Sequence, residues 1–574
     1  MDIKKLVLVM IFFTSGLFLW EEWQAGQQRS TTPQVATTSA TASKAAQGAA
    51  GSDSKFDEDG APVPGEKLIS SQQIKGTGSG EDATPVAAST GLESGTRIVV
   101  KTDMVLAVID TAGGDIRDLD LLNHPSRADK SIPFALLQSD FPRVNVAQSG
   151  LIGEGLPTHQ THYTAESDSY TLAAGEDKIE IRLSAPEVEG IKATKIYTFH
   201  RDSYVIDVKF EIDNQGSKAL QPFSYFQVLR DVVPVEASMF IMPQFNGATV
   251  YTEEEKFQKI PLDEIADGTA TYPKNTDNGW LAMQEHYFLT AWLPEAETKR
   301  ENFAKHHGGY KYSAGIIVPA GTIQPGEIGS VAVPLYVGPQ EQSKLAALAP
   351  GLDLVVDYGW LTVIGAPLFW LLSFFHSWTG NWGFAIILLT MLVKLIFFPL
   401  SAAGYRSMAK LKAVAPRLKT LREQHKGKDK QKMNQAMMEF YKTEKINPMG
   451  GCLPILVQIP IFISLYWVLL ASVELRYAPF ALWIEDLSMP DPYYVLPVIM
   501  GISMYIQTKL NPAATDPIQQ KVMQLMPLVF SIFFFFFPAG LVLYSLVNNT
   551  LSILQQWQIT RMYAPSTVPA VKKK

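Results

Sequence analysis

Long stretches with no charged side chain, or nearly none, dominate the chain after residue 345 and constrain its fold more than any other feature. They lie at 359–377, 379–400, 450–472, 493–508, 522–537 and 538–558. The hydrocarbon core of a bilayer is about 30 Å thick, and about 20 helical residues cross it. Because no water reaches that core, a chain placed there must satisfy its own backbone hydrogen bonds, as a helix does. The runs therefore predict a helical bundle in a membrane.

Charge is distributed unevenly between the two parts of the chain. Residues 346–574 contain 20 Lys and Arg against 11 Asp and Glu, whereas residues 1–345 contain 29 against 45. Such asymmetry indicates that the two parts face different surroundings. The segment 401–448 alone carries 12 Lys and Arg against 4 acidic residues. Because loops rich in Lys and Arg remain in the cytoplasm, we expect this segment and the basic tail 561–574 to be cytoplasmic.

The first 24 residues are typical of an uncleaved transmembrane anchor. Lys4 and Lys5 precede the uncharged run 6–20, and no small-x-small cleavage site follows it. The positive-inside rule then places the N-terminus in the cytoplasm. Residues 25–91 are rich in Ser, Thr, Ala, Gly and Gln. Because such a segment buries too little apolar surface to offset the entropy lost on ordering, we expect a flexible linker.

Residues 92–345 follow a period of two instead. Polar and apolar residues alternate through 178–183 and 204–212, and turn formers such as Gly113-Gly114 interrupt the pattern. Alternation places one face of each strand inward, and many short strands with short turns are typical of a sandwich. The sequence therefore predicts an all-β domain.

Counting membrane crossings gives a topology. The anchor runs from inside to outside, so the basic segment is cytoplasmic only if one of the first two apolar runs crosses. We expect 379–400 to cross. The region 346–378 then forms an amphipathic helix at the outer interface, a depth that suits Trp360, Trp370 and Trp378. The prediction is six transmembrane helices, with both termini in the cytoplasm and the β domain outside it.

A single lysine, Lys394, lies inside the predicted span 379–400. A charge at the bilayer centre costs about 2.5–3.5 kcal/mol on insertion scales, so such a lysine suggests a function. The alternative is that its long stem snorkels to the cytoplasmic interface. Thr390 lies one turn earlier on the same helical face.

Polar residues also recur in the later predicted spans. They are Gln458, Ser464, Tyr544, Ser545, Asn548, Asn549 and Ser552. Polar side chains within a span should face each other or water, so together with Lys394 they favour a hydrated cavity. The alternative is that they simply hold helices together by hydrogen bonds.

The basic segment 401–448 predicts a helical hairpin, with helices near 402–425 and 431–445. Its charge fits plain topology signalling. It equally fits a docking surface for anionic lipid head groups or for RNA. Charge alone does not separate these interpretations.

Enzyme signatures are absent from the sequence. It contains no GxxxxGK[ST], HExxH or CxxC motif, and its single cysteine, Cys452, has no nearby histidine. The seven histidines of the predicted β domain follow no recognisable metal-binding spacing. We therefore expect a protein that is not an enzyme and holds no cofactor or metal.

Six motifs in the C-terminal part carry a resemblance to a known family. They are GNWG at 380–383, NPMGGCLP at 447–454, QIPIF at 458–462, APFALWI at 478–484, DPYY at 491–494 and FPAGLVLY at 537–544. With the anchor and the β domain, they resemble the Gram-negative form of the YidC/Oxa/Alb family of membrane protein insertases. The resemblance covers the whole chain. It implies a periplasmic super-sandwich like that of galactose mutarotase, without that activity, and an insertase core at 379–560.

The resemblance also implies a hydrophilic groove among five core spans, open to the cytoplasm and to lipid. Lys394 takes the place of a positive residue that is arginine in most members, and lysine lacks the planar fork for two-point carboxylate binding. The expected groove residues are Lys394, Thr390, Gln458, Phe536, Tyr544 and Ser545. The expected cytoplasmic docking residues are Arg406, Lys410, Lys412, Arg417, Lys419 and Arg422.

The function implied is the insertion and assisted folding of nascent inner-membrane proteins, alone or with the Sec translocon. The implied partners are nascent membrane proteins, the ribosome, the Sec translocon with its accessory subunits, the signal recognition particle pathway and the phospholipid bilayer. The expected location is the bacterial inner membrane. From the residues alone, a small-anion transporter stands equal to an insertase, and a membrane-anchored periplasmic carbohydrate enzyme is a further alternative.

Overall fold

The computed structural model describes residues 62–63, 92–140, 143–232, 245–424, 430–444, 453–511 and 517–563. The chain divides into two compact units. One consists of 51–357 with 471–474, and the other of 1–50, 358–470 and 475–574. The predicted anchor, nearly all of the predicted linker, Cys452 and the tail beyond residue 563 lie outside the described residues.

The first unit is built from strands, as the alternating pattern predicts. They are β1 Arg97–Lys101, β2 Val105–Asp110, β3 Asp115–Pro125, β4 Pro133–Leu137, β5 Asn145–Ile152, β6 Thr164–Ala165, β7 Ser169–Thr171, β8 Lys178–Ser184, β9 Ile191–His200, β10 Val205–Asn214, β11 Phe223–Asp231, β12 Gly247–Thr252, β13 Lys256–Ile260, β14 Asn275–Thr276, β15 Trp280–Glu285, β16 Phe288–Trp292, β17 Arg300–His306, β18 Lys311–Pro319 and β19 Ile328–Pro339. Two short helices, α1 Leu262–Ala266 and α2 Gln342–Leu348, and a 3₁₀ helix, Leu352–Val355, accompany them.

These strands form two large sheets. The ten-stranded sheet has the order β14-β17-β18-β11-β5-β3-β2-β1-β7, with β4 paired to β3, and the nine-stranded sheet has the order β13-β12-β15-β16-β19-β10-β9-β8-β6. Most neighbours pair antiparallel, whereas β1 and β7 run parallel. In β10, every second residue is buried between β9 and β19. The all-β sandwich is therefore confirmed.

Aromatic side chains fill the space between the two sheets. Phe226 of the ten-stranded sheet packs on Trp292 and Phe210 of the nine-stranded sheet, with ring centroids 5.1 and 6.2 Å apart. Burial of a large apolar side chain contributes about 1.5–3 kcal/mol. The alternation of each strand therefore produces the core directly.

One of the buried ion pairs that join the sheets contains a lysine. Lys195 of β9 and Asp115 of β3 are both 0% exposed, and their charged atoms lie 3.5 Å apart. The Lys195 ammonium also donates to the carbonyls of Gly113 and Ser149, at 3.2 and 3.0 Å. Burial lowers the pKa of Lys195 to about 8 and raises the pKa of Asp115, and each charge partly opposes the shift of the other. This lysine is thus enclosed and satisfied within the sandwich.

The second unit is helical. Its helices are α3 Thr362–Thr379, α4 Trp382–Ile396, α5 Phe398–Gln424, α6 Lys430–Thr443, α7 Leu453–Ala471, α8 Val495–Leu510, α9 Pro517–Phe533 and α10 Ala539–Tyr563, with a short 3₁₀ helix at Gly359–Leu361. A further 3₁₀ helix, Val473–Leu475, begins in the segment 471–474 that belongs to the first unit. Each of the six apolar runs overlaps with one of these helices over most of its length. The helical C-terminal part is therefore confirmed.

A glycine and an asparagine separate the first two apolar runs. Gly380 ends α3 in the left-handed conformation, at φ 62°, and its N–H donates to the His376 carbonyl. The Asn381 side chain then accepts hydrogen bonds from the backbone N–H groups of Gly383 and Phe384, which caps α4. The runs at 359–377 and 379–400 are two helices for this local reason.

The predicted span 379–400 is not straight. Helix α4 ends at Ile396, α5 begins at Phe398, and the two axes meet at 66°. Pro399 lies in the first turn of α5, where its missing N–H is tolerated, but it removes a hydrogen bond that a continuous helix would need. The hairpin helix α5 therefore starts slightly before the predicted boundary at residue 401.

Helix length alone does not establish the number of membrane crossings. Among the described residues, no single helix is both long and apolar enough to span a bilayer, whereas the bent pair formed by α4 and the first part of α5 meets both conditions. Shorter apolar helices cover Val457–Ala471 and Val495–Leu510. The count of six transmembrane helices remains a prediction.

Candidate functional site

Lys394 lies in the last turn of α4 and bonds to a neighbouring helix. Its side chain is half-buried, and Nζ donates to the Ser552 hydroxyl of α10 over 2.7 Å. The Ser552 hydroxyl in turn donates to the Asn548 carbonyl over 2.8 Å. The amine is therefore held against α10, where its stem is not free to extend along the helix towards solvent.

A small cavity of about 20 Å³ adjoins this lysine. That is room for about one water molecule where polar groups surround it. The lining residues come from α4, α5, α7 and α10: Val393, Lys394, Phe397, Leu400, Ser401, Val457, Gln458, Ile461 and Asn548. The structure thus brings Lys394 and Gln458 together, as the polar pattern suggested, and adds Ser401 and Asn548.

Two other predicted groove residues lie near Gln458 and on α10. Tyr544 is buried, and its hydroxyl approaches the Gln458 side chain without a well-aligned hydrogen bond. Ser545 is also buried, and its hydroxyl donates to the Leu541 carbonyl of its own helix. These side chains extend the polar region along α10 beyond the cavity.

The remaining predicted groove residues are placed differently. Thr390 is 1% exposed, and its hydroxyl donates to the Ile386 carbonyl, so its donor is used within α4. Phe536 follows α9, is 62% exposed and does not line the cavity. Thr390 therefore shares a helical face with Lys394 but not its cavity, and Phe536 belongs to an exposed apolar surface.

Polar residues of α10 also hold this helix to α8. Asn549 donates to the Ser503 hydroxyl of α8 over 2.8 Å, and Gln556 donates to the Asn511 side chain over 2.9 Å. These bonds hold α10 to α8, as the alternative interpretation of the stripe proposed. Ser503 and Asn511 were not singled out from the sequence, although a serine in an apolar run is a signal for such a bond.

Basic side chains cover the hairpin helix α5. Arg406, Lys410, Lys412 and Arg417 are exposed, whereas the side chains of Lys419 and Arg422 are not described. Arg417 forms an ion pair of 2.8 Å with Glu444, which links the two arms of the hairpin. An exposed pair of this kind contributes at most about 1 kcal/mol, so the surplus positive charge remains available on the surface.

Several motif residues have structural roles instead. The buried Asp491 carboxylate accepts hydrogen bonds from the Trp483 indole and from the backbone N–H groups of Tyr493 and Leu496. A Cβ at Gly383 would lie 2.0 Å from the Phe480 ring. These residues shape the connection between α7 and α8 and its packing on α4. No group of three or more potential metal ligands occurs among the described residues.

Comparison with known proteins defines the class first. Residues 97–371 match the family described as YidC periplasmic domain, and residues 374–566 match the family described as 60Kd inner membrane protein. The chain is thus a bacterial inner membrane protein with a periplasmic domain, which is the β sandwich, followed by the helical unit that holds Lys394.

Close relatives then identify the family. A protein from Nitrosospira multiformis named membrane protein insertase YidC is 66% identical over 574 residues, which is 100% of both chains. A protein of the same name from Nitrosomonas europaea is 60% identical over 99% of this chain and 92% of that protein. This chain belongs to the YidC family of membrane proteins.

Likeness to solved structures is weaker. A crystal structure of an active YidC insertase covers 81% of this chain and 93% of its own, at 20% identity and a TM-score of 0.39. A galactose mutarotase related enzyme from Lactobacillus acidophilus covers 42% of this chain and 97% of its own, at 8% identity and a TM-score of 0.27. The family assignment rests on the two family matches and on the sequence relatives.

Proposed function

We propose that this chain inserts nascent proteins into the bacterial inner membrane and assists their folding, alone or with the Sec translocon. The observation that carries the proposal is the placement of Lys394. In a protein of the YidC family, this lysine lies half-buried beside a small cavity that Ser401, Gln458 and Asn548 line together with apolar side chains, and it is bonded to a neutral hydroxyl. The family gives no support to the small-anion transporter.

The groove lowers the cost of moving polar groups into the membrane. An unpaired polar group transferred to an apolar medium costs about 2–7 kcal/mol, and an isolated charge costs far more. Lys394 offers a positive charge, and Gln458, Tyr544 and Asn548 offer hydrogen-bonding groups beside it. A polar or acidic leading tail of a substrate is therefore stabilised while it crosses. Thr390 and Ser545 flank this path on α4 and α10.

The apolar segment of the substrate provides the driving force. Burying apolar surface stabilises by about 25 cal/mol per Å², and the membrane potential adds about 2.3 kcal/mol per charge per 100 mV. Exposed apolar side chains on and after α9 give the segment a surface to slide along towards lipid; they are Leu525, Leu528, Val529, Phe530, Ile532 and Phe536. The step involves no covalent chemistry and no nucleotide.

Helix length adds physical support to this mechanism. Helices α4, α8 and α9 contain 15, 16 and 17 residues. At 1.5 Å per residue they are about 22–26 Å long, shorter than a hydrocarbon core of about 30 Å. Short helices thin the bilayer around them. A thinner bilayer shortens the distance over which a polar tail is exposed to hydrocarbon.

We further propose six transmembrane helices with both termini in the cytoplasm. Exposed basic residues on α5 support a cytoplasmic hairpin under the positive-inside rule. Trp370, Phe374 and Trp378 recur every fourth residue of α3 and are 65%, 40% and 71% exposed. Such an aromatic stripe suits the outer interface.

The exposed basic surface of α5 is also the proposed docking site for delivery. Arg406, Lys410, Lys412 and Arg417 carry it, and Lys419 and Arg422 are included by their positions in the sequence. Positive charge attracts ribosomal RNA and the components of the signal recognition particle pathway. The Sec translocon and its accessory subunits are proposed as partners on the basis of the family.

Replacement of Lys394 tests the proposal. Lys394→Ala removes the charge, and we expect insertion of a substrate with an acidic tail to fall about tenfold, the factor that corresponds to 1.4 kcal/mol. Lys394→Arg should retain most activity, because it keeps the charge. Lys509→Ala, which removes a lysine that lies over Tyr505 at the end of α8, is the matched control. Undiminished insertion by Lys394→Ala would remove the electrostatic role.

A further inference from the structure

Ser552 of α10 lies at a junction of three helices. Its hydroxyl accepts a hydrogen bond from Lys394 Nζ of α4 over 2.7 Å and donates one to the Asn548 carbonyl of its own helix over 2.8 Å. The hydroxyl of Tyr405, which belongs to α5, approaches the Ser552 hydroxyl as well. One oxygen atom therefore lies between the groove lysine and the first turns of the basic hairpin.

The capacity of a serine hydroxyl assigns the roles in this junction. A hydroxyl has one donor and two acceptor lone pairs. Ser552 uses its donor on the Asn548 carbonyl and accepts from Lys394 with one lone pair, so a second lone pair is left to accept from the nearby Tyr405 hydroxyl. A protonated lysine has three N–H donors. One of these N–H donors bonds to Ser552, and this bond fixes the direction in which the other two N–H groups point towards the cavity.

The same turn of α10 also contacts the break between α4 and α5. Gln555 donates to the Phe398 carbonyl over 3.4 Å, next to the 66° bend. Lys394 lies before the bend and Tyr405 lies after it. Ser552 and Gln555 together therefore bridge both sides of the bend from a third helix.

We infer that Ser552 is a positioning residue of the insertase groove, which aims the Lys394 amine into the cavity and ties it through Tyr405 to the root of the cytoplasmic hairpin. The inference rests on the proposed function of Lys394. A substrate carboxylate that draws the amine away leaves Ser552 with the Asn548 carbonyl and the Tyr405 hydroxyl as its partners. The hold of α10 on α5 then depends on whether the groove is occupied.

A double-mutant cycle separates positioning from packing. The variants are Ser552→Ala, Ser552→Thr, Lys394→Met, the double variant Ser552→Ala/Lys394→Met, and Thr550→Ala. Thr550 is an exposed residue of the same helix whose hydroxyl donates to the Leu546 carbonyl, so it controls for loss of a helix-bound hydroxyl. Each full-length variant is reconstituted in liposomes, and insertion is measured for two substrates that differ only in an acidic or a neutral leading tail.

We expect Ser552→Ala to reduce insertion of the acidic-tail substrate about fivefold and to leave the neutral-tail substrate nearly unchanged, since a hydrogen bond to a charged group is worth more than a neutral one. Ser552→Thr restores the hydroxyl and the activity. In the Lys394→Met background, Ser552→Ala has no further effect. Thr550→Ala behaves as the wild type.

Other outcomes would overturn either the positioning role of Ser552 or the groove proposal itself. If Ser552→Ala and Lys394→Met act additively, or if both tails lose equally, Ser552 is a packing residue and only the positioning inference fails. If Lys394→Met itself inserts acidic tails normally, the groove proposal fails together with it. Tyr405→Phe tests the link from Ser552 to the hairpin. This variant should show faster amide hydrogen exchange in the first turns of α5, and unchanged exchange would overturn the link.

Discussion

The two units of this protein each have a lysine in their interior, but the two lysines have different partners. Lys195 in the sandwich is fully buried beside the Asp115 carboxylate and donates to two backbone carbonyls. Lys394 in the helical unit is half-buried and bonded to the neutral Ser552 hydroxyl. In the part of the chain that the structure describes, Lys394 forms no ion pair with an acidic side chain.

The difference distinguishes a structural charge from a functional one. A buried pair with every donor used rigidifies its surroundings and has no capacity left for a ligand. A lysine held by one neutral acceptor keeps its charge available to an incoming anion. The comparison therefore predicts that changes at Lys195 affect stability, whereas changes at Lys394 affect the choice of substrate.

The largest expected effect follows from breaking the sandwich pair. Asp115→Asn leaves the Lys195 charge buried without its counter-charge, which costs about 3–5 kcal/mol of unfolding free energy. The measurement is chemical denaturation of the full-length protein in detergent, followed by near-ultraviolet circular dichroism. Asp168→Asn, at an exposed carboxylate of the same domain, is the control. A loss no larger than that of the control would show that the pair is not a structural unit.

The next largest expected effect is a change in the stability of the sandwich with pH. The pKa of Lys195 is lowered from 10.5 to about 8 by burial. Between these values the unfolded chain holds a proton that the folded chain has released, so stability rises with pH across this window. We expect the wild type to gain about 2 kcal/mol between pH 8 and 10 relative to the variant Lys195→Met/Asp115→Leu. Parallel pH profiles for the two proteins would contradict this.

A carboxylate placed beside Lys394 should pair with its charge, as Asp115 pairs with Lys195. Asn548 lines the cavity, and Asn548→Asp adds a counter-charge there. We expect insertion of acidic tails to fall about fivefold through competition for the amine, with neutral tails less affected. Asn548→Ser, which keeps the site neutral, should insert both tails normally. An equal loss for both tails in Asn548→Asp would point to damage to the fold.

Local patterns predicted the elements better than their contacts. Alternation predicted strands such as β10, and on β9 it already places Lys195 on the inward face with Ala193 and Tyr197. Its partner Asp115 lies 80 residues away, in the other sheet. A local sequence pattern contains no information about a contact between residues so far apart in the sequence. The inward position of Lys195 was therefore predictable from the sequence, but its partner was not.

The candidate site shows the same limit. An uncommon charge in an apolar run identified Lys394, and the polar residues identified Gln458 and the face of α10. The bond from Lys394 to Ser552 joins residues 158 apart and depends on how α4 packs against α10. Thr390 was expected in the groove because it shares a helical face with Lys394, but its hydroxyl bonds to its own backbone. Helical spacing gives the face of a residue and not its hydrogen-bond partner.

The most direct test is photo-crosslinking from inside the cavity. A photoreactive amino acid replaces Ile461, which lines the cavity with Lys394, and in a second variant it replaces Val363, which is 85% exposed on α3. Each protein is presented with a ribosome-stalled nascent membrane protein that has an acidic leading tail. We expect adducts between position 461 and that tail, and far fewer from position 363. Equal yields from both positions would contradict the claim that the substrate passes beside Lys394.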